Sequence, residues 1–254
     1  MFNVLNYTGA APFVGLLDLY PSAAAAYSVR RLKSDYAGSA MEVRIDTVGQ
    51  PLYDIGFDAN GDLDTADLIS KAAGNDAFVS TWYDQSGNGN DVTQTITAYQ
   101  PRIVISGGYL GYLQLLPVFG NMASSYAYIN GNAYSSFSYF QNSGQCIIAG
   151  TNSGGAFYGL GQSGSALNSA GQFSIQSYYK NGVAIGTTRA DIFTATLSFS
   201  QFSLLITSVN NFNLAIGYTG AGYNNNRFKE FILYPNQTVS RIDVENNQID
   251  YYGV

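Results

Sequence analysis

Asp58-x-Asn60-x-Asp62-x-Asp64 sets four oxygen-bearing side chains at alternate positions, the spacing with which calcium loops present their ligands. Two positions depart from that pattern. The sixth residue is Leu63 where such loops use glycine, and the twelfth is Ile69 where they use glutamate. The same four residues also fit a turn that runs into a helix, with Asp64 as its N-cap. A second polar segment, Trp82-Tyr83-Asp84-Gln85-Ser86-Gly87-Asn88-Gly89-Asn90-Asp91, packs carboxylates, amides and two glycines into ten residues. Trp82, Tyr83, Asp84, Gln85, Asn88, Asn90 and Asp91, with Tyr218 from near the last strand, form a set that could stack on a sugar ring and hydrogen-bond its hydroxyls. The alternative is a multi-turn loop in which Asp84, Asn88, Asn90 and Asp91 bind backbone amides while Gly87 and Gly89 supply positive φ. Trp82, beside Phe78 and Val79, reads as core more than as platform.

The missing residue types bear on chemistry as strongly. The chain has no histidine, which removes the commonest general base and metal ligand. Between Asp91 and Asp191 there is no carboxylate, and from Ile103 to Tyr179 no charge of any kind. Tyr126, Tyr128, Tyr134, Tyr139, Phe140, Tyr178 and Tyr179 fall in or beside that stretch. Such an aromatic, uncharged surface suits sugar stacking. It also suits a protein–protein interface, where tyrosine is enriched and charge depleted.

Net charge is −6 and the pI about 4.4, so a phosphate-binding surface of clustered Lys and Arg is not expected, and nucleic acid is excluded as a partner. Arg30-Arg31-x-Lys33 is the densest basic cluster and reads as the exposed face of a short helix. The single cysteine, Cys146, lies in an apolar run and reads as a buried thiol. No uncharged apolar run approaches the roughly 18 residues of a membrane-spanning helix. The first residues lack the basic start and apolar core of a signal peptide, so synthesis in a cytoplasm is expected.

Residues 1–20 read as an extended lead-in or assembly arm, and 21–254 as one domain. Helices are expected near 22–33, after Pro21-Ser22; near 64–73, capped by Asp64; and at 240–252, with Ile242, Glu245, Ile249 and Tyr252 on one face. Ala40–Ile45 and Phe78–Tyr83 alternate as strands. From Ile103 to Tyr234 short β-prone runs, among them Cys146–Ala149, Phe193–Phe199, Phe202–Ser208 and Phe228–Tyr234, are separated by Gly, Asn and Ser turns. That spacing predicts a sandwich or barrel.

Ala25–Leu32, Tyr36-Ala37-Gly38 and Val43-Arg44 resemble the opening of the arabinofuranosidase B catalytic domain, and the Trp82–Asp91 segment is similar to a turn motif of that family. Phe228-Lys229-Glu230-Phe231 and Asp243–Asn247 resemble its last strand and closing helix. The same blocks, with Leu16–Pro21, also resemble concanavalin A-like (laminin-G-like) proteins of tailed bacteriophages. The likeness covers roughly the first 105 and last 30 residues. It implies an all-β, concanavalin A-like two-sheet jelly-roll sandwich with a few short helices. It also implies a retaining mechanism with carboxylates about 5 Å apart. The nucleophile would fall in the carboxylate-free middle, and the acid at Thr219, which cannot protonate a leaving group. No enzyme activity is therefore expected. The expected function is a virion component of a tailed bacteriophage (tail, fibre or capsid surface). It would assemble with itself or other virion proteins through the uncharged face and bind host glycans, with calcium as the one cofactor to consider and no membrane insertion. The alternative is a carbohydrate-binding module or an arabinofuranosidase-type glycoside hydrolase.

Overall fold

Antiparallel pairing dominates this chain because its β-prone runs are short and separated by turn residues. The computed structural model describes residues 12–115, 118–122, 126–134, 145–151, 157–162, 164–166, 175–195, 200–206, 212–216, 218–219, 222–223, 225–234 and 240–254. A helical turn, α1 (Leu16–Leu19), precedes strands β1 (Ala25–Ser28), β2 (Met41–Ile45) and β3 (Leu52–Ile55). Helix α2 (Thr65–Ala72) leads into β4 (Ala77–Trp82), β5 (Val92–Thr93), β6 (Arg102–Ile105) and β7 (Gly108–Leu115). There follow β8 (Val118–Met122), β9 (Tyr126–Tyr134), β10 (Gln145–Thr151), β11 (Phe157–Gln162), β12 (Ile175–Lys180) and β13 (Val183–Ile185). Helix α3 (Arg189–Ala195) precedes β14 (Ser200–Ile206), β15 (Phe212–Ile216) and the short pair β16 (Tyr218–Thr219) and β17 (Gly222–Tyr223). The long β18 (Asn225–Tyr234) and helix α4 (Arg241–Tyr252) close the chain.

The strands make a β-sandwich, as the spacing of the β-prone runs predicts. One layer runs β3-β2-β4-β5-β8-β15-β10-β11, and the other runs β13-β12-β14-β9-β18. The free edge of β18 is shared, with β7 along Asn226–Phe228 and β1 along Glu230–Leu233. Strands β6 and β7 carry the hydrogen bonding from β4 to β18 and so form the corner. Between the layers Tyr27, Val43, Val79, Trp82 and Phe231 are buried in one cluster. The Tyr27 and Trp82 rings lie 5.7 Å apart. A second cluster covers the outer side of β1 and β18, where Leu16, Leu17, Ala26, Leu32, Ile232, Tyr234 and Val244 pack together.

Two sequence expectations need correction. The stretch expected as a helix near 22–33 is a strand with all four residues of β1 buried. Tyr27 faces the sandwich core while Ala26 faces the α1–α4 layer, so both faces are covered and no period-2 alternation survives in the sequence. The Ala run that suggested helix propensity instead supplies small side chains where three layers meet. Phe193–Phe199, expected as a strand, begins inside α3. Asp191 Oδ2 accepts from the backbone N–H and hydroxyl of Thr188, and the Asp191 N–H donates back to Thr188 Oγ1, a reciprocal cap that starts the helix.

The helices expected near 64–73 and 240–252 are present. Asp64 Oδ1 accepts from the Asp67 N–H at 2.9 Å, and Ser240 caps α4. The inward face of α4 is more polar than its sequence suggested, because Val244, Glu245 and Gln248 are buried while Ile242 is exposed.

The strand assignment of β1 can be tested directly. Ala26→Leu should destabilise the protein by about 1–3 kcal/mol through overpacking, read from the urea midpoint. An unchanged midpoint would place Ala26 on an open helix face instead.

Candidate functional site

The Trp82–Asp91 segment holds β1 in place through its own side chains. Asp84, almost fully buried, accepts from the Ala26 N–H at 2.8 Å and the Ser86 N–H at 2.9 Å through Oδ1. Its Oδ2 accepts from the Ser86 hydroxyl and the Asn90 N–H. The fully buried Gln85 amide donates to the Ser28 and Arg30 carbonyls and accepts from the Leu32 N–H. Asn88 and Asn90 donate to the Ala23 and Ala24 carbonyls, and Gly87 and Gly89 take positive φ to let the loop fold back. Among the residues singled out as ligand-binding, Trp82, Asp84 and Gln85 are therefore turned to the protein's own ring systems and backbone. Tyr83, Asn88, Asn90 and Asp91 retain exposed surface. Tyr218 lies on β16 opposite Tyr223, and its side chain is outside the described residues.

Of the aromatic residues in the uncharged stretch, Tyr178 is buried and Tyr179 is stacked beneath Arg241 at 3.7 Å. Tyr126, Tyr128 and Tyr134 lie on β9 with side chains outside the described residues, as Tyr139 and Phe140 are altogether.

The Asp58–Asp64 run divides its carboxylates among separate tasks and does not gather them around a cation. Asp58 Oδ1 accepts from the Asn60 and Asp62 N–H groups, closing a turn. Asp62 accepts from the Tyr251 hydroxyl of α4, and Asp64 caps α2. Among the described residues no group of three or more His, Cys, Asp or Glu is placed to hold a metal. The turn-into-helix reading is the one the structure adopts.

A third cluster was not legible as a site. Register sets Ser28 of β1 opposite Glu230 of β18, and Arg30 follows two residues on. Arg30 Nε donates to Glu230 Oε2 at 2.7 Å and its terminal nitrogen to Oε1 at 3.0 Å, a bidentate pair with Glu230 fully buried. Ser28, Gln248 and Tyr252 also donate to the Glu230 carboxylate. Burial alone would push the Glu230 carboxyl up, but the Arg30 charge and these hydrogen bonds outweigh it and hold it below the usual range. Burial likewise pushes the Tyr252 phenol well above its usual value, with the Glu230 charge adding. Arg30 was expected on the exposed face of a helix. It is buried instead, because β1 is a strand whose outer face lies beneath α4.

The outer face of β3-β2-β4 presents chemistry to solvent. Glu42 of β2 and Asp54 of β3 are direct register partners, so their side chains share one face. Glu42 Oε1 accepts from the Ser80 hydroxyl at 2.6 Å, and Asp54 Oδ1 accepts from the Tyr83 hydroxyl at 2.7 Å. Burial, then the Asp54 hydrogen bond and the charges of Asp54, Glu42 and Asp91, push the Tyr83 phenol well up, so it stays protonated as a donor. Tyr36 nearby is pushed up to about 12 by burial, with Asp91 and Asp84 adding. Two carboxylates thus face each other beside a phenol, with Asp91 of the turn close by. A hairpin register drawn between Ala40–Ile45 and Leu52–Ile55 would have found this pair in the sequence. Asp84, Asp191 and Glu230 each have separate partners.

The chain is an antiparallel β-sandwich whose exposed sheet face carries paired carboxylates. No protein-family model matches the sequence, and no curated protein matches it. Solved structures do share its fold. An arabinofuranosidase complexed with arabinofuranosyl-α-1,2-xylobiose superposes with a TM-score of 0.54 at 13% identity. A glycoside hydrolase family 54 α-L-arabinofuranosidase soaked with a cyclic sulfate inhibitor gives 0.55 at 14%. A Glu-to-Gln mutant of such an enzyme soaked with 4-nitrophenyl α-L-arabinofuranoside gives 0.54 at 14%. Each comparison covers 93% of this chain and 65% of the other, so the chain spans just under two thirds of their length. The expectation that the chain is no enzyme is corrected by this finding. The structures with its fold are enzymes, and the empty middle of the sequence does not remove carboxylates from its surface.

Removing Arg30 alone, as Arg30→Met, should cost about 3–5 kcal/mol because it strands the Glu230 charge, while Arg30→Met/Glu230→Leu should recover most of that loss. Chemical denaturation of both variants checks this. The pair's contribution is present above the unfolded carboxylate pKa of about 4.3 and is lost as pH falls through the lower folded value. Glu230→Gln should therefore flatten the acid limb of the stability profile.

Proposed function

We propose that this chain is a carbohydrate-active protein of the arabinofuranosidase type, hydrolysing arabinofuranosidic linkages with Glu42 and Asp54 as its carboxylate pair. The observation that carries this reading is the fold shared with arabinofuranosidases over 93% of the chain. The register of β2 and β3 supports it. Opposed residues on antiparallel strands have Cβ atoms about 4.5–5.5 Å apart, which suits the roughly 5–5.5 Å carboxyl separation of retaining glycosidases.

Asp54, steadied by the Tyr83 hydroxyl, is the nucleophile in this scheme. Its oxygen bonds the anomeric carbon as the glycosidic C–O bond breaks, and Glu42 gives its proton to the leaving oxygen. Water then attacks the same carbon, loses a proton to Glu42 and releases Asp54. Ser80 and Tyr83 orient the two carboxylates. Asp91 and Thr81, which is paired with Glu42 across the β2–β4 ladder, lie beside them for substrate hydroxyls.

The test is turnover of 4-nitrophenyl α-L-arabinofuranoside. Asp54→Asn and Glu42→Gln should each reduce kcat at least about a hundredfold, the lower end of what positioned acid–base groups contribute. Tyr83→Phe should lower kcat less. No turnover by the native chain defeats the hydrolase reading, and turnover retained in both carboxylate variants defeats this assignment.

A further inference from the structure

A separate cleft of about 360 Å³ lies where the segment before α1, the end of β1, the Asn60-Gly61 turn and the last turns of α4 meet. That volume is at the small end of ligand pockets, the size for a mono- or disaccharide. We infer that it binds the carboxylate of an acidic sugar, a uronic acid, with Arg31 as the anion-binding group.

Arg31 is what marks the cleft. Its guanidinium lies 4.1 Å over the Phe13 ring, and its Nε is closed off from solvent with no acceptor among the described residues. Among the described residues no carboxylate forms an ion pair with it, whereas its neighbour Arg30 is paired with Glu230 and hydrogen-bonded to Asn247. Because the Nε faces no solvent, an anion entering the cleft meets the terminal nitrogens of this guanidinium, which stand ready for a bidentate acceptor. The placement is also built. Phe13 seats against Gly61, where a Cβ would come within 2.5 Å of the ring, and the Arg31 N–H donates to the Gly61 carbonyl at 2.6 Å. Backbone and ring together aim the guanidinium plane.

The rest of the wall selects the kind of anion. Asn60, Asn247 and Asp250 line the cleft and offer amide and carboxylate groups to hydroxyls, and the Tyr251 ring supplies an aromatic edge. Tyr251 itself is fixed by Arg30 stacked at 4.2 Å and by its hydroxyl bond to Asp62. The Arg31 guanidinium matches one monovalent carboxylate bidentately. A dianionic phosphate would meet Asp250 and the chain's net charge of −6, and Arg30, the other arginine lining the cleft, is already paired with Glu230. A neutral sugar would leave the Arg31 donors without a charged partner.

This inference extends the carbohydrate reading to a second site and is independent of arabinoside turnover, which reports on Glu42 and Asp54 alone. The experiment titrates ¹⁵N-labelled native chain with sodium D-glucuronate, D-glucose or inorganic phosphate at equal ionic strength. It follows the Arg31 Nε–H resonance, assigned with Arg31→Lys. Glucuronate should shift that resonance saturably and bind more weakly as salt rises. Arg31→Gln should weaken binding about tenfold or more, as expected for losing a hydrogen bond to a charged group, and Lys71→Gln, which makes the same charge change outside the cleft, should retain it. Glucose binding as well as glucuronate, phosphate binding more tightly, full affinity in Arg31→Gln, or no saturable shift in the native chain would each overturn the proposal. Because the resonance is read in the native chain, a variant that fails to fold leaves the question answered.

Discussion

Arg30 and Glu230 stand 200 residues apart in the chain, yet their bidentate ion pair is buried where β1, β18 and α4 meet. Such a pair is stable only if every remaining lone pair and N–H finds a partner, since two charges removed from water carry a penalty of several kcal/mol each. The Glu230 carboxylate meets that requirement through Ser28 from β1 and Gln248 and Tyr252 from α4, while Asn247 accepts from the Arg30 terminal nitrogen on its far side. The closing helix is thereby tied to the first strand in one orientation. Apolar packing of Val244 against Ile232 and Ala26 could tolerate sliding, whereas a fully hydrogen-bonded carboxylate cannot.

The polar turn after β4 does the same work from the other end of β1. Asp84 and Gln85 bind the backbone of Ala26, Ser28, Arg30 and Leu32, so the strand is held by side chains as well as by its ladder with β18. This explains why Asp84 and Gln85 are buried in a segment so rich in hydroxyls and amides. It also leaves Tyr83 and Asp91 with exposed surface, beside Glu42 and Asp54. The same turn therefore fixes the core and borders the carboxylate face, and the cleft at Arg31 opens where β1 leaves the sheet.

Much of the fold could be read from residues. Asp64 and Ser240 announced two helix starts, the alternation in Met41–Ile45 announced a strand, and the spaced short runs announced a sandwich. The Thr188–Asp191 cap was present in the sequence but stands just before the β-prone run Phe193–Phe199, whose local pattern reads as a strand across the end of α3. The site was less legible. Tyr83 and Asp91 belong to a motif that stands out, but Glu42 and Asp54 look like ordinary outward positions of two strands. Only their register makes them a pair.

By itself the sequence determined the class of fold, the positions of α2 and α4 and the absence of histidine chemistry, because caps, turns and hydrophobic period act over a few residues. The tertiary structure alone decided that Ala25–Ser28 is a strand, that Arg30 is buried and that Arg31, among the described residues, has no acidic partner. Those outcomes depend on what covers each face of β1, and the covering residues come from α1, α4, β4 and β18, which no local pattern brings together.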